Sequence, residues 1–402
     1  MLSQLKQFAA FFIWLTLGIF TTSGCQIVAP LSSNSQVVVE ASKLSPEDRE
    51  MPEPLFSIVE NGQMGYINQS GEIVIPPQFD DASPFSEGLA AVKVDGKWGY
   101  IDQTGKLVIP AQFDDVRNFS TGLARVAIDN KWGIIDDRGK LVVTPQFEEI
   151  FDFSEGLAAV SIDGKWGFID RMGKLVIRTQ FDFARSFSEG LARIEVKNRW
   201  GLVSGWGYID KTGKVIIQPQ FEEAFDFSEG LAVVRVNAKH GFIDKTGKLV
   251  IEPKEFTATQ SFSEGLAVAV VPFSYNNGVV TEYKLGFIDK TGKWIVPAKF
   301  DGAESFSGGL AVVRIGEKQG YIDHIGQVVI EPQFDEAWDF SDGLAAVKID
   351  KKWGYIDKTG KLLVPLQFDR VETFSKGIAR VEIGTKEGYI DQTGKYIWSP
   401  TN

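Results

Sequence analysis

KWGYIDKTGK, residues 352–361, is the stretch on which the fold turns. KWGYIDQTGK at 97–106 repeats it with one change, and looser copies run along the rest of the chain. Aligning the glycine of each copy gives Gly65, Gly99, Gly133, Gly167, Gly207, Gly241, Gly286, Gly320, Gly354 and Gly388, spaced by 34 residues except for gaps of 40 and 45. A fixed period of this size marks an array whose units bury their faces against neighbours.

The unit from Leu89 to Gly122 explains its own pattern. LAAVKV alternates, with Ala90, Val92 and Val94 on one face and Leu89, Ala91 and Lys93 on the other, which predicts a half-buried strand. Asp95-Gly96 is a tight-turn signal, and KWGYID is the second strand. Asp102 and Gly105 occupy the ends of a type I turn. KLVIP is a third strand that Pro110 terminates, since proline cannot donate to a ladder. The connector AQFDDVRNFSTG places Phe113 and Phe119 in the core. The unit is therefore expected to be a three-stranded antiparallel meander plus a connector.

Each unit opens its second turn with Asp or Asn, Asp102 and Asp357 among them. A row of carboxylates suggests calcium or acid–base chemistry, but one short acceptor per turn is explained by capping of that turn, and paired carboxylates are not implied. Trp98, Trp132, Trp166, Trp206 and Trp353 precede the glycine, whereas other units have Met64, His240, Leu285, Gln319 or Glu387 there. A slot that accepts Glu is expected to leave its tryptophans partly open to solvent.

KWGYIDKTGKLLVPLQFDRVETFSKGIARV resembles the WG (or KWG) repeat family of bacterial proteins across residues 55–400. The resemblance rests on WG, [YF]ID, TGK, a P-x-[QK]-F cluster and F-S-x-G-[LI]-A. It implies a β-rich interaction unit without a catalytic residue set. Two departures stand out. RWGLVSGWGYID has a second WG at Trp200-Gly201, and VPFSYNNGVVTEYK at 271–284 reads as an extended hairpin from which Phe273, Tyr275 and Tyr283 project. Loops of this kind are where binding concentrates.

Repeated meanders either stack into an open curved superhelix or close into a propeller-like ring. Three strands per unit, ten units and no spare terminal strand favour the open array, with the connector as the source of a fourth strand if a ring forms.

The 402-residue chain has formal charge −11, 30 Phe, two His and one Cys. Net acidity removes the phosphate-neutralising term that nucleic-acid binding needs. A single cysteine allows no disulfide framework. No cofactor or metal ligand set is expected. Residues 1–24 have the layout of a secretory signal, with Lys6 before an apolar run from Phe8 to Phe20. TSGC resembles the bacterial lipobox, which implies lipidation of Cys25, although Thr22 stands where that motif usually has Leu. Residues 25–54 then form a flexible tether to a repeat domain at 55–402. This places the protein in the cell envelope, at the outer membrane or the periplasmic face of the inner membrane. Gln26 and Ile27 favour the former.

Three functions fit: a scaffold binding a protein or peptide partner, a module stacking envelope polysaccharide on spaced Trp and Tyr, and an enzyme. The third is disfavoured because His240 and His324 lack a sequence-defined Ser, Cys or metal partner.

Overall fold

A computed structural model describes residues 53–197, 203–276 and 279–401. The signal segment, Cys25 and Trp200 lie outside the described residues. Ten antiparallel sheets follow one another along the chain, one for each repeat. We number these blades 1 to 10, at residues 56–79, 81–113, 115–147, 149–181, 183–221, 223–256, 258–300, 302–334, 336–368 and 370–401.

Blades 2 to 10 have four strands rather than three. The connector adds a two-residue strand at the edge of each sheet, as at Asp115–Val116. The third strand also continues beyond Pro110, running Leu107–Phe113. Trp98 pairs with Phe113 and Tyr100 with Ile109, so several residues of the third strand face Gly99 alone. Pro110 sits in this bulge, where no ladder donor is required.

The blades close into a ring, which overturns the open superhelix that the strand count favoured. One hydrophobic cluster fills each joint between consecutive blades. The tenth joins the last blade to the first through Ile58, Ile67, Ile378 and Tyr389. There the Tyr389 hydroxyl donates to the Ser57 carbonyl at 2.7 Å, and the Gln69 amide donates to the Lys376 carbonyl. Tyr389 and Phe56 meet with ring centroids 5.9 Å apart. The expectation of an open array counted strands at the ends, whereas the closure described here is made by side chains.

A ring also changes the strand reading. Ala90, Ala91 and Val92 are all buried, because every sheet is covered on both faces. Ala90 and Val92 pack toward blade 1, and Ala91 packs toward blade 3.

The repeated phrase specifies this joint residue by residue. Lys352 reaches Asp369 at 2.6 Å, and the same carboxylate accepts the Gly384 N–H of the next blade at 2.8 Å. A Cβ on Gly354 would lie 2.5 Å from the Val364 carbonyl oxygen. Tyr355 is buried and donates to the Glu372 carbonyl of blade 10 at 2.5 Å, with its ring edge-on to Phe374. Ile356 points the other way, into the joint with blade 8. Lys358 donates to the Gly308 carbonyl of blade 8 at 2.7 Å. Gly360, at φ +83°, lies against Ile330 of that blade.

Turn capping by Asp is observed. Asp102 Oδ1 accepts the Thr104 N–H at 2.9 Å, the Thr104 hydroxyl at 2.6 Å and the Lys106 N–H at 3.2 Å. The threonine hydroxyl bond is the main cause holding this carboxyl below its usual 3.8, and the same holds at Asp210, Asp244 and Asp289. A depressed folded-state pKa contributes stability above the unfolded value that is lost as pH falls through the folded one. The ring's melting temperature is therefore expected to drop as the pH falls below about 4. Asp102→Ala should cost about 1 kcal/mol at neutral pH and Asp102→Asn much less, since Asn keeps the acceptor. A melting temperature unchanged between about pH 6 and pH 3 would count against this account.

Candidate interaction surface

Both departures from the 34-residue period fall mainly in the hairpin between the second and third strands of a four-stranded blade. In blade 5 the added residues lie between the paired Lys197 and Val203, which is where Trp200 falls. In blade 7 the two strands lengthen to Ala267–Asn276 and Val279–Ile288, ten residues each, against six in blade 2. The paired residues that flank the two insertions, Lys197 with Val203 and Asn276 with Val279, lie at the end of their sheets opposite the capped Asp turns.

The blade 7 arm is a two-stranded ribbon. Pro272 pairs with Tyr283, Ser274 with Glu282, and Tyr275 with Val280, with a register shift on each side of Ser274. These shifts twist the ribbon and re-aim its side chains. Phe273 is 61% exposed, Tyr275 63%, Val279 58% and Tyr283 46%. None of them belongs to a joint cluster. The base of the arm is anchored: Lys284 Nζ lies 2.5 Å from Asp301 Oδ1 and 5.3 Å from the Phe273 ring centroid. Bonding to Lys284 is the main cause holding the Asp301 carboxyl below its usual range. Three aromatic members of this patch were legible in the sequence. Val279 was missed, because a single valine beside a turn carries no signal of its exposure.

The five tryptophans of the repeat slot do not form an open stacking surface. Trp166 and Trp353 are buried and the other three are half-buried. Their faces have partners within the chain: Lys93 lies over Trp98 at 5.8 Å, Arg117 over Trp132 at 4.8 Å, Arg193 over Trp206 at 5.5 Å and Lys348 over Trp353 at 5.3 Å. Phe151 stacks on Trp166 with centroids 4.9 Å apart. The slot tolerates Glu387 because Arg380 pairs with it, and Trp98, Trp132 and Trp206 stay partly open to solvent, as the tolerance of Glu implied.

Sequence reasoning also missed a set of ion pairs between blades. Arg125 of blade 3 meets Asp152 of blade 4 at 2.6 Å, and Arg193 of blade 5 meets Asp226 of blade 6 at 2.8 Å. The signal was LAR in place of LAA, followed in the next unit by Asp immediately before FS. In blade 8 the corresponding position is Val312, so Asp339 of blade 9 has no such arginine. Asp339 keeps contact with water, yet the surrounding protein, then Glu304 and Glu264, push its carboxyl up to about 6.

His324 Nε2 lies 3.0 Å from Glu264 and stacks on Phe306. His240 accepts a backbone N–H from blade 7. Both histidines are engaged in joints between blades.

The fold and its joints define a propeller-like repeat scaffold. Nine successive matches to the WG containing repeat, at 64–98, 98–132, 132–166, 166–200, 206–239, 241–271, 286–318, 320–353 and 353–386, show that the chain belongs to this family. No curated protein matches the sequence. Among solved structures, a eukaryotic initiation factor is similar over 87% of this chain and 96% of its own, at 12% identity and a TM-score of 0.50. Kluyveromyces lactis Hsv2p matches 68% of this chain and 91% of its own at 11% identity, with a TM-score of 0.32. The first likeness is one of fold alone, and the second carries no argument.

Proposed function

We propose that this protein is a non-catalytic scaffold, held at the bacterial envelope by an acylated Cys25, that grips a protein or peptide partner through the arm of blade 7. The supporting observation is the exposed Phe273, Tyr275, Val279 and Tyr283 on an anchored ribbon that no neighbouring blade covers. Rigid aromatic side chains give large contact area at low entropic cost and dominate binding hot spots. An arm that only filled a loop would have no reason to expose three such side chains with Val279 beside them. The tether of residues 25–54 would let the ring reach a partner at some distance from the membrane.

The polysaccharide reading is less well supported, because sugar stacking needs open Trp faces and those faces have partners within the chain.

The test is affinity capture from an envelope extract with residues 55–402 and with the variant Phe273→Ser/Tyr275→Ser/Tyr283→Ser. The arm lies outside the joint clusters, so the variant should melt within a few degrees of the parent. A partner retained by the parent and weakened tenfold or more on the variant supports the reading. Equal retention of the same partner by both would remove the arm from its binding site.

A further inference from the structure

We propose that the joint between blades 6 and 7 is a proton-sensitive seam: protonation of His240 converts its Nδ1 from acceptor to donor, removes the bond from the Thr259 N–H and loosens the attachment of the blade that carries the arm. The seam is a property of the fold, and its test does not depend on whether the arm binds a partner.

The geometry sets up the switch. His240 is buried in the slot that holds Trp in five other blades. Its Nδ1 accepts the Thr259 N–H at 3.1 Å. Thr259 belongs to the two-residue strand that opens blade 7 and pairs with Ala269, so this bond ties one blade to the next. An imidazole that accepts at Nδ1 is neutral, and in the protonated ring both nitrogens are donors. Two donors would then face each other across a buried joint, and a buried unmet donor is costly.

Among the described side chains, the charged groups around His240 come from its own blade. Glu223 Oε2 lies 3.9 Å from Nε2. Arg235, the cross-strand partner of His240, is engaged by Glu223 and by Glu222 at 3.4 Å. Lys239 precedes His240 on its own strand, the last strand of the blade presents Phe256, and the connector presents Phe225 with ring centroids 6.3 Å apart. Blade 7 contributes the uncharged Thr259. Burial holds the imidazole below the ordinary histidine value of 6.5, Glu223 opposes this, and Arg235 assists it. With a depressed folded-state pKa, the stabilisation is fully present above about 6.5 and is lost as the pH falls toward the folded value.

Blade 8 supplies a comparison within the same molecule. Gln319 holds the equivalent slot, with Arg314 and Phe334 as its cross-strand partners. Its Oε1 accepts the Ala337 N–H of blade 9 at 2.5 Å. The same bond is thus made there by an acceptor that does not titrate.

The experiment is hydrogen exchange of the full chain at about pH 7.5 and about pH 5, corrected for the intrinsic pH dependence of exchange. Protection of the Thr259 amide is expected to fall roughly five- to tenfold at the lower pH, while that of Ala337, in the joint that also holds Asp339, does not fall. His240→Gln, which copies the blade 8 acceptor, should abolish the fall, as should His240→Trp, which copies the common residue of the slot. A local readout is needed because Asp339 and Glu304, two joints away, have raised pKa values and respond with the opposite sign. Thr259 protection that is equal at both pH values, or that falls equally in both variants, would overturn the proposal.

Discussion

Gly99→Ala is expected to lower the stability of the ring by about 3 kcal/mol, more than a methyl group usually costs on a β-strand. The added Cβ would sit 2.5 Å from the Ile109 oxygen, 2.7 Å from the Ala111 nitrogen and 2.8 Å from the Pro110 carbon, all of them backbone atoms. A flexible side chain can swing away from such an intrusion, but a bulged strand hydrogen-bonded into its sheet cannot. The Trp-Gly pair is therefore a steric requirement: glycine lets the last strand of the blade cross close to the strand that carries it at the bulge. Gly96→Ala is the control. It has open space around it but a φ of +78°, so it pays only left-handed backbone strain of about 1–2 kcal/mol. Urea midpoints of the two variants give the comparison. Equal losses would mean that the bulge relaxes and that the glycine is retained for some other reason.

Tyr389→Ala is expected to cost about 3–5 kcal/mol, as much as Tyr100→Ala in an internal joint. Tyr100 is buried, donates to the Arg117 carbonyl at 2.7 Å and meets Phe119 at 4.8 Å. Tyr389 does the same work between the last blade and the first, with Ser57 and Phe56 as partners. In an open array Tyr389 would be an end residue with half its contacts missing, and its loss would be mild. Small-angle scattering supplies the second readout. The parent should scatter as a closed ring, and the Tyr389→Ala variant should show a larger radius of gyration if the seam opens. A small stability loss with an unchanged, extended scattering profile would return the open superhelix to favour.

Much of the blade was legible in the sequence. The two long strands, the Asp95-Gly96 hairpin and the Asp102 cap are local structures, set by alternation and by turn chemistry within about six residues. The core role of Phe113 and Phe119 was legible for the same reason. What misled the reading was non-local. Pro110 marks the end of a strand by local rules, yet it sits in a bulge whose existence depends on Gly99 one strand away. LAAVKV looks half-buried because Lys93 breaks one face, yet Ala91 is buried by a blade that the unit itself does not contain.

The candidate site divides in the same way. Phe273, Tyr275 and Tyr283 stood out because they fall in an insertion, which breaks the period in one dimension. The covering of the tryptophans was not legible, since Arg117 and Trp132 are 15 residues apart in sequence and meet at 4.8 Å only once strands are paired.

By itself, then, the sequence determined the repeat, its strands and turns, and the place where the period breaks, because each is written in short-range spacing. Ring closure, the fourth strand and the neutral His240 at a joint were decided by tertiary structure. They depend on the angle at which one blade meets the next, and that angle is the sum of many small packing contacts that no single repeat contains.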